Sequence, residues 1–424
     1  MNAKLAALVP LVLLLATSAS PALAEGDVGV AQADVPRDSV SRSDAREAGA
    51  ALEAFGLDLY RAISPSQTNM VFSPTSIALA LAMARAGAQG QTAAEMDAVM
   101  HELASDDHAG WLNALDQALA SRDRTSTDDS GQELPVTLRI TNAPFAQEGM
   151  PLEDAYLETL AARFGAGLRL VDYVSATEEA RQTINAWVDE RTEQRIPELL
   201  VEGVVTPDTR LTLVNAIYLK APWQTPFFEG ATEEGTFTRA DGSTVEVPFM
   251  STSVSLAHAS GDGWQAVEVP YLGGSLALTL ILPDDLAGFE QTLTPDGLAT
   301  ITSSLTDTEV ALALPRFGIE TSAELATILA ALGMPTAFGD AADFSGITTA
   351  ERLAISNVVH QANIDVDEKG TEAAAATAVA IRLTSGSSDP VTVRLDRPFL
   401  FALRDVPTGA ILFLGRVGDP SIER

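Results

Sequence analysis

Segments of the chain with apolar residues at helical spacing predict α-helices over residues 45–63, 77–88, 177–200 and 322–332. The second of these segments is apolar nearly all round, which is typical of a helix buried on every side. Ser73 or Ser76 would cap its N-terminus. The polar residues of 121–133 predict a loop or the end of a hairpin.

β-Branched and apolar runs bounded by Gly, Pro and Asp predict strands over residues 210–219, 245–250, 266–271, 276–282, 310–314, 391–395 and 411–416. These strands do not alternate with helices as regular βαβ units, and no fixed-period repeat interrupts them. The pattern therefore favours a mixed α+β fold with large sheets.

The first residues resemble an export signal. Lys4 precedes an apolar stretch over residues 5–16, and the small residues Ala22 and Ala24 suit cleavage before Glu25. We expect a signal peptide at 1–24, a flexible acidic leader at 25–44 and one domain at 45–424. The mature protein would then be secreted, either to a periplasm or to the external medium.

Composition narrows the possible functions. With 46% hydrophobic residues the chain can bury a core, and with no cysteine it has neither disulfides nor thiolate chemistry. Its 26 basic and 58 acidic residues leave a net charge of −32. Such a charge repels phosphate backbones and anionic lipid, so we expect no nucleic-acid partner and no membrane partner.

Residues suited to catalysis or metal binding are scarce. The chain has four histidines, and it has no HExxH, P-loop, GxGxxG or GxSxG motif. His101 and His108 lie among acidic residues but lack a tight metal-ligand spacing, so they predict a solvated surface and no metal site. His360 follows an apolar run and predicts a buried, hydrogen-bonded histidine. We expect neither an enzyme nor a bound cofactor.

Residues 370–384 are ambivalent. Both charges of this segment, Glu372 and Arg382, fall on even positions, and the odd positions from Thr371 onwards are uncharged. A strand with one buried face requires that alternation. Four consecutive alanines nevertheless favour a helix, and on propensity alone the two structures are equally favoured. The segment could be an exposed loop that changes its structure.

Five runs of residues, in chain order, resemble motifs of the serpins, the serine-protease-inhibitor family. They are Asn-Met-Val-Phe-Ser-Pro-Thr-Ser-Ile at 69–77, Asn-Ala-Ile-Tyr-Leu-Lys at 215–220 followed by Trp223 and by Pro-Phe at 226–227, Glu-Lys-Gly-Thr-Glu-Ala-Ala-Ala-Ala at 368–376, Arg-Pro-Phe-Leu-Phe at 397–401 and Phe-Leu-Gly-Arg-Val at 413–417. The resemblance implies a multi-helix domain packed on three β-sheets, with an exposed reactive-centre loop at about 368–390. We expect a secreted, bacterial-type inhibitory member.

The resemblance also assigns roles to residues. It implies a hinge made of Glu368, Gly370, Thr371, Glu372, Ala373, Ala374, Ala375 and Ala376. It implies a shutter, where the middle strands of the large sheet part, made of Ser73, Ser76, Asn215 and His360. It implies a breach, where the loop first enters the sheet, made of Trp223, Arg316 and Glu368.

The function that the resemblance implies is suicide inhibition of a serine protease through a covalent acyl complex, by a protein that we expect to be a monomer. The family's loop length predicts a reactive bond between Thr384 and Ser385, which suits elastase-like or subtilisin-like targets. A bond after Leu383 or after Arg382 remains open. The alternative function is that of a non-inhibitory serpin that binds or carries a ligand.

Overall fold

A computed structural model describes residues 29–63, 68–105, 108, 110–128, 130–372 and 389–422 of the chain. Its helices are α1 Arg42–Ile63, α2 Pro74–Arg85, α3 Gly90–Val99, α4 Trp111–Ala120, α5 Asp154–Thr159, α6 Thr177–Arg191, α7 Leu286–Thr292, α8 Pro295–Ser304 and α9 Ala326–Leu332. Its strands are β1 Gly29–Ala31, β2 Met70–Phe72, β3 Arg124–Thr127, β4 Glu133–Gln147, β5 Leu168–Val171, β6 Leu211–Pro222, β7 Glu233–Thr238, β8 Thr244–Gly261, β9 Trp264–Pro270, β10 Leu276–Pro283, β11 Thr306–Pro315, β12 Phe317–Glu324, β13 Asn357–Val366, β14 Gly370–Thr371, β15 Val391–Arg394, β16 Phe399–Asp405 and β17 Ile411–Val417.

Helix α2 lies between the two sheets, which explains why it is apolar all round. All of its residues are buried, and it packs against β4 and β6 on one side and β17 on the other. Ser73 caps it as predicted, since the Ser73 side chain accepts a hydrogen bond from the Ser76 backbone. Pro74 occupies the first helical turn, where its missing N–H costs no hydrogen bond.

Two predicted helices are shorter than expected. Helix α6 ends at Arg191, because Glu193 and Gln194 adopt left-handed backbone conformations that a helix cannot continue. The predicted helix at 322–332 begins only at Ala326, since residues 322–324 complete β12 and pair with β13. There the tertiary pairing overrides the local preference for a helix.

The first sheet has the strand order β1-β5-β4-β6-β14-β13-β12, and β3 pairs with β4 at one side. Strands β6 and β13 pair directly, in parallel, from Asn357 opposite Thr212 to Gln361 opposite Ala216. Further along, the short strand β14 lies between them and pairs with both. The sheet is therefore closed at one end of the β6–β13 seam and already parted at the other.

The second sheet has the order β15-β11-β8-β9-β10-β16-β17-β2, with β7 also paired to β8. Strand β8 is 18 residues long. Its first residues pair with β7, its middle residues pair with β11, and its last residues pair with β9. The second and third sheets of the expected fold are therefore continuous through β8, and the mixed α+β architecture is confirmed.

Residues 29–44, which were expected to belong to a flexible leader, contact the rest of the domain in the structure. Strand β1 pairs antiparallel with β5 and extends the first sheet by one strand. Arg37 bonds to Asn113 and forms an ion pair with Asp116 of α4 at 2.5 Å, and helix α1 already begins at Arg42. The sequence did not predict these contacts, because a short edge strand that is held by polar contacts has no apolar periodicity.

Candidate functional site: the β6–β13 seam and the hinge

The shutter residues meet at the closed end of the seam between β6 and β13. Strand register places His360 opposite Asn215 across the seam, and Asn215 opposite Asn142 of β4. Three polar side chains thus form a row across three strands. The four predicted shutter residues, Ser73, Ser76, Asn215 and His360, are fully buried and lie together as expected.

Hydrogen bonds join this row to the start of α2. The Ser73 backbone N–H donates to Nε2 of His360 at 3.0 Å, and Nδ1 of His360 donates to Oδ1 of Asn215. Nδ2 of Asn215 donates to Oγ of Ser76 and to Oδ1 of Asn142, each at 2.7 Å. Every bond in the chain has a donor and an acceptor only if His360 is neutral with its proton on Nδ1.

Burial keeps the imidazole of His360 in this neutral state. His360 is completely buried, and desolvation lowers its pKa to about 3 from the ordinary 6.5. The imidazole therefore stays neutral at physiological pH, where its role is to orient neighbours. This places His360 as the buried, hydrogen-bonded residue that its apolar context predicts.

The breach forms the parted end of the seam. The Trp223 ring stacks on Tyr271 with 4.4 Å between centroids, and its indole N–H donates to the Asp367 carbonyl at 2.8 Å. Backbone bonds add to this, because Trp223 N–H donates to the Lys369 carbonyl and Phe227 N–H to that of Glu368. The segment leading into the hinge is thus bonded to the chain that follows β6.

Glu368 and Arg316 form the ion pair that the resemblance implies. The Glu368 side chain is 4% exposed while that of Arg316 is 45% exposed. Burial raises the pKa of Glu368, but hydrogen bonds from Arg316 and Thr232 outweigh it and hold that pKa below its usual value. The contact positions the hinge, and its contribution to stability is reduced by solvent around Arg316.

Two of the hinge residues, Gly370 and Thr371, are already part of the sheet as β14. Gly370 pairs with Pro222 and has a φ of +152°, and a Cβ at this position would lie 2.1 Å from the Ala221 carbonyl oxygen. Only glycine fits there. Thr371 is 1% exposed, and its hydroxyl bonds to that of Tyr271 at 2.6 Å. The inward assignment of Thr371 agrees with its alternation in the sequence.

Glu372 departs from that alternation. The sequence predicts an outward side chain, but the Glu372 carboxylate is 3% exposed and forms an ion pair with Arg195 at 3.2 Å. It also accepts a hydrogen bond from Tyr218 of β6. The cause is a φ of +49° at Glu372, which ends the extended conformation after Thr371 and turns the side chain back over the sheet.

The remaining hinge residues, Ala373, Ala374, Ala375 and Ala376, lie outside the described residues, as do Thr384 and Ser385 of the predicted reactive bond. Their roles stay predictions.

Several contributors were missed from the sequence: Asn142, Tyr218, Tyr271, Thr232 and Arg195. Asn142 did leave a signal, since it is a polar residue inside a long strand. The others are unremarkable along the chain and reach the site only through strand register and loop geometry.

Two further histidines, His101 and His108, contact residues outside the seam. Nε2 of His101 lies 2.8 Å from Asp58, and His108 stacks on Trp111 with 3.8 Å between centroids. Among the described residues, no group of three His, Asp or Glu side chains is arranged to hold a metal ion. Over the same ranges, no helix is both long and apolar enough to cross a membrane.

Comparison with known proteins identifies the class. A family profile described as "Serpin (serine protease inhibitor)" matches residues 50–420. The chain therefore belongs to the serpin family, a class of protease inhibitors.

Individual relatives support the same conclusion. The leukocyte elastase inhibitor of Bos taurus is 37% identical over 386 residues, which cover 88% of this chain and 99% of the relative. An uncharacterized serpin-like protein of Thermococcus kodakarensis is 38% identical over 374 residues, which cover 87% of this chain and 85% of the relative. The crystal structure of tengpin, a thermophilic serpin, in its native state has a TM-score of 0.79 at 27% identity and covers 92% of this chain and all of its own. Relatives this varied do not support the narrower expectation of a secreted, bacterial-type member.

Proposed function

We propose that this protein inhibits serine endopeptidases by inserting its cleaved reactive-centre loop into the β6–β13 seam. The observation that carries the proposal is β14, a two-residue strand of the hinge already lodged between β6 and β13. Below it the two strands pair directly with each other. The loop that follows Glu372 would lengthen β14 by separating those pairs one after another.

The outcome of the reaction would depend on two competing rates, that of loop insertion and that of acyl-enzyme hydrolysis. A protease serine attacks the reactive bond, proposed at Thr384–Ser385, and forms an acyl-enzyme while the amine product leaves. The cut releases the loop to extend β14, which forms two new rows of backbone hydrogen bonds. Inhibition results if insertion displaces the protease before water hydrolyses the ester.

The side chains of the hinge support fast insertion. Thr371 is small, uncharged and already inside, and the next four residues in the sequence after Glu372 are alanines. A small, β-branched Thr384 before the bond fits elastase-like or subtilisin-like pockets. The relative named leukocyte elastase inhibitor supports that target class.

The direct test is incubation of the full chain with elastase-, subtilisin-, chymotrypsin- and trypsin-like proteases. We expect a covalent complex with an elastase-like or subtilisin-like enzyme that survives denaturing electrophoresis. Cleavage of the loop by every protease without any such complex would contradict the proposal.

The alternative is a non-inhibitory serpin that binds a ligand. The structure of thyroxine-binding globulin in complex with thyroxine has a TM-score of 0.76 at 26% identity. Melting before and after loop cleavage separates the two functions. Insertion should raise the melting temperature greatly, and a loop that cannot insert should leave it almost unchanged.

We also propose export, with signal-peptide removal before Glu25 and activity as a monomer. N-terminal sequencing of the mature protein and its sedimentation would test these two points.

A further inference from the structure

Strand β15 follows the reactive-centre loop in the chain and is an edge strand of the second sheet. In the described part of the chain it pairs only with β11, in parallel, from Val391 opposite Val310 to Arg394 opposite Ala313. A short edge strand has backbone hydrogen bonds to a neighbour on one side only. Contacts made by its side chains therefore matter for whether it stays in the sheet.

Arg394, the last residue of β15, reaches across the sheet to Phe249 of β8. Its guanidinium carbon lies 4.1 Å from the centre of the Phe249 ring, which is within the distance of a cation–π interaction. Strand β11 lies between the two, but its residue opposite Arg394 is Ala313, whose small side chain leaves room for the longer one. The contact thus joins the edge strand to a strand with which it does not pair.

Gly235 of β7 provides the space for this contact. A Cβ at this position would lie 2.5 Å from Nη2 of Arg394 and 2.8 Å from Cδ2 of Phe249, so any other residue would displace the stacked pair. The Phe249 ring is 2% exposed, while the Arg394 side chain is 42% exposed and lies 3.9 Å from the Asp396 carboxylate. Because an exposed ion pair of that length contributes little, the ring is the main partner of the guanidinium.

The length of the loop explains why the position of β15 matters. Thr371 pairs with Ala221, so a strand that continues in this register to a position opposite Thr212 would consist of residues 372–380. Such a strand is about 30 Å long. Residues 381–390 would have to lead back over the same length, and a segment of that size spans at most about 33–36 Å when fully extended. Almost no length would remain for the turn at the closed end of the seam.

Strand β15 fixes the end of this return path. It lies beside β11, which ends at Pro315, and the next residue, Arg316, contacts Glu368 at the parted end of the seam. The uncut loop can therefore enter the seam completely only if β15 leaves the sheet and supplies more length. Cleavage removes this restraint, because the residues before the cut are then no longer joined to β15.

We propose that Arg394 is a positioning residue for the inhibitory reaction. Through its contact with Phe249 it holds β15, and with it the C-terminal end of the loop, until a protease cuts the loop. This proposal rests on the proposed function, because it concerns the same loop and the same seam. An uncut chain that releases β15 would insert its loop and stop inhibiting. Loss of the contact should therefore shorten the lifetime of the active state and leave inhibition by fresh protein unchanged.

The test is incubation of the uncut full chain a few degrees below its melting temperature. Samples are assayed for inhibition of an elastase-like protease, for cleavage of the loop by subtilisin and for a monomer with a raised melting temperature, and mass measurement shows that the chain is still uncut. Arg394→Gln should convert to this monomer about two- to fivefold faster than the unmodified chain, the factor that corresponds to an exposed cation–π contact.

Further variants assign the effect to the contact. Phe249→Leu removes the ring but keeps an apolar side chain, and it should also convert faster. The double variant should convert more slowly than the product of both single effects, since each substitution removes the same contact. Arg394→Lys keeps a cation and should convert more slowly than Arg394→Gln. Arg352→Gln, an equal loss of charge at another exposed residue, should behave like the unmodified chain.

Equal conversion of Arg394→Gln, Arg352→Gln and the unmodified chain, including no conversion in any of them, would overturn the proposal. Single effects that simply multiply in the double variant would overturn it as well, because the two side chains would then act independently. If the unmodified chain forms no complex with any protease, the proposed function fails. Loop cleavage and melting still measure the conversion in that case, so they decide on the role of Arg394 separately.

Discussion

A single imidazole joins three elements at the β6–β13 seam. His360 accepts a hydrogen bond from the Ser73 backbone at the start of α2 and donates one to Asn215 of β6. Because all three groups are buried, the loss of the ring would leave two polar groups without partners.

His360→Ala should therefore lower the free energy of unfolding by about 1–3 kcal/mol for each group left unsatisfied. Urea unfolding measures the loss, and native electrophoresis after mild heating should reveal polymers or a non-inhibitory monomer. His101→Ala, the same substitution at an exposed histidine, is the control. A His360→Ala protein that matches this control in both assays would contradict the role given to the shutter.

His360 should also make the stability of the fold depend on pH, in a direction that follows from its lowered pKa. Its pKa is about 3 in the folded protein and 6.5 ordinarily, so between these values only the unfolded chain binds the proton. Stability should fall as the pH falls through this window, by up to about 1.4 kcal/mol per pH unit. The comparison of urea midpoints between the unmodified chain and His360→Gln measures this share, and equal pH slopes would refute it.

Glu53 makes stability depend on pH in the opposite direction. The contribution of His360 must therefore be measured as the difference between the unmodified chain and His360→Gln. Burial raises the pKa of this carboxyl to about 7, although Arg404 opposes the shift. The folded protein then holds a proton that the unfolded chain releases above 4.5, so this contribution is complete at low pH and is lost as the pH rises through 7. Because the unmodified chain and His360→Gln both contain Glu53, the contribution of Glu53 cancels in the difference between them.

At the scale of elements, β14 is the part of the hinge that is already committed to the sheet. Thr371→Arg would place a cation where the native side chain is 1% exposed and bonded to Tyr271. Burial of an unpaired charge is strongly unfavourable, so insertion should slow and hydrolysis of the acyl-enzyme should prevail. Titration of a protease with the variant should consume many inhibitor molecules for each enzyme inhibited. Thr392→Arg, at an exposed position of β15, should inhibit normally.

An ion pair between Glu372, the residue that follows β14, and Arg195 stabilises the end of this strand. The carboxylate is 3% exposed but Arg195 is 40% exposed, so solvent weakens this ion pair as it weakens the pair of Glu368 and Arg316. Glu372→Gln and Arg195→Gln should each lower the melting temperature, and the double variant should lose less than the sum of both, with a coupling of about 0.2–1 kcal/mol. Additive losses in thermal unfolding would mean that the two side chains do not act together in solution.

At the scale of the whole molecule, the position of the reactive bond decides which protease is inhibited. The three candidate bonds release C-terminal fragments that begin at Ser385, Thr384 or Leu383 and end at Arg424. We expect the fragment from Ser385, and mass measurement of the small fragment of the inhibited complex identifies it. A fragment from Leu383 would indicate a trypsin-like target, since cleavage then follows Arg382.

The class of fold, the buried helix α2 and seven of the 17 described strands can be predicted from the sequence alone, and the resemblance to serpin motifs implies which residues form the shutter and the breach. These follow from apolar periodicity and from short motifs, which depend on residues close together in the chain. The inward face of Thr371 also follows from alternation along an extended segment.

How polar residues that are distant along the chain meet depends on the packing of the elements against one another. Asn142 joins the shutter because strand register places it opposite Asn215, and Arg195 reaches Glu372 because α6 ends early and the chain turns back. The left-handed backbone at Glu372 and the ordering of residues 29–44 likewise depend on neighbours that are remote in sequence. Periodicity reports which face of an element is buried, but the partner of each polar atom is chosen by packing between elements.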